Sequence, residues 1–103
     1  MIFRRRFSEL IRRQLDLFER DHRGLIDACV AAERAYDRGG RDEAEERYGD
    51  YQDLVETGTE ILAEIRDTYA RTLDDDAAAE YEDAFNRAVA KHLPRFALEI
   101  ENR

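Results

Sequence analysis

Apolar residues recur every three or four positions along nearly the whole chain, and only two stretches interrupt them. That spacing is the period of one face of an α-helix; no alternating strand pattern appears before residue 94. One row reads Phe7, Ile11, Gln14, Phe18, His22, Leu25, Cys29, Ala32, Tyr36, and a second Ala44, Tyr48, Tyr51, Val55, Gly58, Leu62, Ile65, Tyr69, Leu73. A third contains Tyr81, Phe85, Ala88, Val89 and His92. Leu10, Leu17, Ala28 and Ala35 widen the first row on one side, and Leu15, Ile26 and Val30 on the other. A helix apolar on both flanks needs two neighbours, or one neighbour and a partner chain.

The first interruption is Asp37-Arg38-Gly39-Gly40-Arg41-Asp42. Gly39 or Gly40 in left-handed geometry would end one helix. Asp42, with Glu45 three residues on, would cap the next. The second is Leu73-Asp74-Asp75-Asp76, whose carboxylates suit the positive end of a third helix. Pro94 should end or kink that helix, because its ring clashes with the preceding turn and it lacks an N–H. Beyond it, a short helix with Pro94 at its first position is expected.

The expected fold is therefore all-α, one domain over residues 1–103. It is an antiparallel up-down-up three-helix bundle with two long helices (about 3–37 and 43–73). A shorter third (about 76–93) precedes a short helix or tail (94–103). The third helix is too short to cover both long ones, and the uncovered flanks predict a homo-oligomer, a dimer being the commonest solution. Leu10, Leu17, Val30, Leu54, Phe96, Leu98 and Ile100 are the candidate interaction surface, with 96–100 as a swapped or latching segment.

Composition narrows the function classes. The formal net charge is −8, which disfavours binding to a phosphate backbone, so no nucleic acid is expected as partner. Residues 1–25 nevertheless hold seven arginines against four acids. Arg4, Arg5, Arg6, Arg12 and Arg13 alternate with Phe3, Phe7, Leu10 and Ile11 as a basic amphipathic helix, of a kind that docks on anionic membranes or in acidic grooves. Up-down-up topology would place that end beside the acidic second turn, which absorbs the charge without a membrane surface. Cys29 is alone, so no intrachain disulfide forms, and a buried structural thiol in a cytoplasmic protein fits. No run is long and apolar enough to span a bilayer.

Two histidines are the sharpest chemical candidates. With turns centred at Gly39-Gly40 and Asp74-Asp75, His22 and His92 both fall level with Thr57, beside Gly58. Glycine there leaves a hollow at a cost of about 1 kcal/mol in helix propensity. Glu19, Glu56 and Glu60 lie within a turn of that level. Glu19 and His22 have the Glu-x-x-His spacing of carboxylate-bridged bundle sites, but His92 has Val89 where a second glutamate should be. The main expectation is a non-catalytic protein-interaction module without cofactor. The alternative is a site for a transition metal (zinc, iron or manganese) or small ligand built from His22, His92, Glu19, Glu56 and Glu60. No phosphate loop, Cys-x-x-Cys pair or nucleophile elbow is present, and no catalytic residue is nominated.

Overall fold

The structure, a computed structural model, describes residues 6–103. Those residues form five α-helices and no strand: α1 (Ser8–Asp21), α2 (Arg23–Arg38), α3 (Ala44–Ala70), α4 (Asp75–His92) and α5 (Ala97–Glu101). Short 3-10 turns at Arg41–Glu43 and Pro94–Phe96 precede α3 and α5.

The expected first long helix is two helices joined at His22, whose φ of −121° and ψ of 33° leave the helical region. Asp21, His22 and Gly24 are all weak helix formers, which locates the break. Hydrogen bonds continue on both sides, from His22 N–H to the Phe18 carbonyl and from Ile26 N–H to the His22 carbonyl. The joint is thus a kink within one rod.

The first turn also departs from expectation. Gly39 and Gly40 are both extended, and no described residue has positive φ. The chain leaves α2 along an extended path and enters a 3-10 turn. Asp42 therefore lies inside that turn, and α3 starts after Glu43 without a side-chain cap. Tyr36 packs on Tyr48 with ring centroids 5.7 Å apart, which centres the hairpin near Asp42 rather than between the glycines. At the second turn the capping expectation holds: the Asp74 carboxylate accepts the Ala77 N–H at 2.9 Å. Tyr69 packs on Tyr81 at 4.8 Å, centring that turn near Asp75.

Pro94 ends α4 and opens the last turn and helix. The tail then folds back onto α3 and α4 instead of projecting. Phe96 and Ile100 are fully buried, and the Phe96 ring meets Phe18 edge-on at 5.9 Å. Its seat explains Gly58. A Cβ at that position would stand 2.5 Å from the Phe96 ring, so only glycine lets the ring reach the α3 backbone. The hollow beside Gly58 is occupied by a phenyl ring from the tail, not by an imidazole or a ligand.

Arg66 secures the same segment. It is 4% exposed, and its guanidinium donates to Asp67 Oδ1 (2.8 Å), Asn86 Oδ1 (2.9 Å) and the Ile100 carbonyl (3.1 Å). One buried cation thereby ties α3 to α4 and to a carbonyl at the end of α5, which also accepts the Arg103 N–H at 3.2 Å. Arg95 adds a second clamp, donating to the Tyr51 hydroxyl (3.0 Å) and lying 3.4 Å from Glu33.

The Gly58→Ala variant separates seat from propensity. Alanine favours the helix by about 1 kcal/mol, but overpacking a closed core costs about 1–3 kcal/mol. Urea denaturation is expected to show net destabilisation. Arg66→Met leaves Asn86 without its donor and the Ile100 carbonyl with the Arg103 N–H alone, and a loss of about 2–4 kcal/mol is expected in the same assay.

Candidate functional site

The two histidines do not share a level. With turns centred near Asp42 and Asp75, His22 stands opposite Leu62 and His92 opposite Gly58, about four residues or ~6 Å apart along the axis. His22 is half-buried against the Phe18 ring at 5.4 Å, at the kink between α1 and α2. His92 is exposed in the last turn of α4. Glu19 is half-buried, while Glu56 and Glu60 are exposed, and Glu60 lies 3.9 Å from Arg103. Among the described residues no group of three or more His, Cys, Asp or Glu side chains could hold a metal ion.

Only Glu19 and His92 of that set face a common space. It is a groove of about 890 Å³ between α1 and α4, floored by Ile11, Leu15, Ala84 and Ala88. Its rim carries Glu9, Arg12, Asp16 and Arg87, all exposed. Arg12 pairs with Glu9 and Asp16 on its own helix, and Arg87 with Asp83. The rim charges are thus matched locally: the hydrogen bond between Arg12 and Glu9 holds the Glu9 carboxyl below its ordinary range and Arg12 above its own, so each keeps its charge.

The basic N-terminal patch divides. Arg4 and Arg5 lie outside the described residues. Arg6 reaches the acidic second turn as topology requires, 3.9 Å from Glu80 in a pocket with Asp74, Asp75 and Asp76. Arg12 and Arg13 are exposed on α1. The apolar face that a membrane helix would need, Ile11, Leu15 and Phe18, is buried in the core. No described helix is long and apolar enough to cross a membrane.

The nominated interaction residues also divide. Phe96 and Ile100 belong to the core and are removed from the surface set. Leu98, between them, is 75% exposed, because a helix turns alternate residues away from the buried face. Leu17 is 46% exposed, and Leu10, Val30 and Leu54 are half-buried.

Three of these residues lie on one face. Glu33 meets the tail through Arg95, and Arg66 and Gly58 meet it from α3, so α4 and α5 cover one side of the α1–α2/α3 hairpin. On the opposite side helical spacing places Leu10, Gln14, Leu17, Ala28, Ala31 and Ala35 of α1–α2 beside Leu54, Ile61, Ile65 and Thr68 of α3. A shallow hollow lined by Gln14, Ile65, Thr68 and Tyr69 lies between α1 and α3 there, and no residue of α4 or α5 lines it. Every residue of this open face is half-buried or exposed.

Two functional groups are structural. Cys29 is fully buried, and burial pushes its thiol above the ordinary range. Tyr81 is fully buried among Phe7, Tyr69 and Phe85, and donates to Gln14 Oε1 at 2.8 Å. Burial raises its phenol to about 12.

Arg66 and Arg95 were not singled out in the sequence. Arg66 falls four residues after Leu62 and four before Ala70, within a second row of the same face. A charge on that row was the available signal. No protein family, curated protein or solved structure matches this chain.

The Tyr81 environment sets a pH dependence. Above about pH 10 the unfolded chain releases the phenolic proton while the folded one keeps it. Stability therefore falls as pH rises from about 10 to about 12. Thermal melts across that window should show the loss, and Tyr81→Phe should reduce its slope. A slope unchanged by the substitution counts against this assignment.

Proposed function

We propose that this chain is a small helical protein-interaction module that acts by self-association and not by catalysis. The reading treats α1–α2, α3 and α4 as the rods of an up-down-up bundle whose third rod is too short. One observation carries it: residues 30–54, the far end of the α2–α3 hairpin, contain no buried residue. Two antiparallel helices without a core of their own are marginal in water, since most helical stability comes from packing an apolar face. Tyr36 and Tyr48, 40% and 48% exposed, meet only at this tip. The open face that begins at Leu10 and Leu17 runs into the same region, so a partner laid on it would cover both.

The matched charges of the α1–α4 groove and the absence of a metal-holding group among the described residues favour this reading over ligand or metal chemistry. Light scattering at 10–100 micromolar (about the range in which weak homodimers form) is the direct test. The expected mass is twice the 12.1-kDa chain, and Leu17→Asp with Ile61→Asp should weaken association at least about tenfold. A 12.1-kDa particle throughout that range would overturn the proposal.

A further inference from the structure

The open face is bordered by charges of opposite sign on its two edges. Beyond the alanines of α1–α2, helical spacing places Arg20, Arg34 and Arg38 along one edge. Beyond Leu54, Ile61 and Ile65 of α3, it places Glu46, Asp50, Asp53 and Glu64 along the other. All seven side chains are exposed. Asp16 and Asp27 on the first edge and Arg71 on the second carry the opposite sign, and the exposed Asp21 lies in the α1–α2 row of the face itself. Within one molecule these rows point away from each other, and their existing contacts are loose: Arg20 lies 3.4 Å from Asp21, and Glu64 3.8 Å from Arg71.

The hairpin register makes the rows more than a general polarity. Because the first turn is centred near Asp42, Arg38 stands level with Glu46, Arg34 with Asp50 and Arg20 with Glu64. A two-fold axis parallel to the helices preserves level and lays α1–α2 of one copy beside α3 of the other. Each of the three arginines then meets the level acid of the second copy, and symmetry repeats the set. The complementary run stops where Arg13 and Arg71 share a level.

We propose that a second copy of this chain occupies the open face about such an axis, closing a four-helix layer in which the arginine edge of each copy abuts the acidic edge of the other. This rests on the self-association reading above and adds to it the face, the symmetry and the pairing. The available surface is adequate. From Leu10 to Ala35 the face is about 37 Å long, and two helices are about 20 Å wide. That is on the order of 700 Å² per copy, above the roughly 500 Å² a specific interface requires.

Charge exchange tests it. One full-length variant carries Arg34→Glu and Arg38→Glu, and the other Glu46→Arg and Asp50→Arg. All four positions are exposed, and circular dichroism checks that each variant is helical. Alone, each variant sets like charges against each other across the axis and should associate at least about tenfold more weakly than the parent chain. Mixed in equal amounts they are complementary on both edges, and a hetero-dimer of near-parental affinity should form, read by light scattering and by energy transfer between labelled copies. Variants that each associate like the parent, or a mixture that fails to recover affinity, would overturn the proposed pairing while leaving self-association standing. A parent chain that is monomeric throughout removes both.

Discussion

The Phe96 ring set against the Gly58 backbone is the contact on which the rest of the structure depends. Helices α1 to α4 leave a trough beside α3 that none of them fills. The tail fills it, and the notch at Gly58 sets how deep it sits. Burying Phe96 and Ile100 contributes about 1.5–3 kcal/mol each, which offsets the cost of ordering a five-residue helix unstable by itself. Arg66 then converts an apolar seat into a specific one. Its planar fork has three acceptors within reach, and one of them is a backbone carbonyl that only a correctly seated α5 presents.

The same arrangement distributes exposure unevenly. Tail and α4 cover one side of the α1–α2/α3 hairpin as far as Arg95 reaches, at Glu33 and Tyr51. Past that level no described residue adds a third layer to the hairpin, and none does on its other side. Apolar burial is thus concentrated where four segments meet, around Phe18, Leu62, Tyr81, Phe85 and Val89. The tip and the open face keep half-buried aliphatic and aromatic groups between charged edges. This uneven division is the basis of the self-association proposed above.

Much of this was legible in the residues and some was not, for identifiable reasons. Helix type followed from the three-and-four spacing, the start of α4 from the aspartates, and its end from Pro94, because each is decided by contacts within a few residues. The Gly39-Gly40 turn was misread, since glycine permits left-handed geometry without requiring it. That small error displaced the hairpin register, and with it the apparent meeting of His22 and His92. The kink at His22 left no break in the apolar row, so the row read as one helix. Gly58 marks a gap in the apolar row, but its occupant lies 38 residues away in sequence. The burial of Arg66 does not follow from its sequence position, because charge is ordinarily a surface signal and only its three acceptors make burial tolerable.

By itself, then, the sequence determined an all-helical chain, its principal breaks, the lone structural thiol and the opposite charge of its regions. Those are local properties, set by backbone propensity, side-chain period and composition. Only the tertiary structure decided that the tail lies inside and not on the surface, that the mid-helix glycine receives a ring, and that a buried arginine holds the end of the chain. It also decided which flank of the long hairpin stays open. These depend on long-range packing, where a shift of two or three residues in one turn changes which side chains meet.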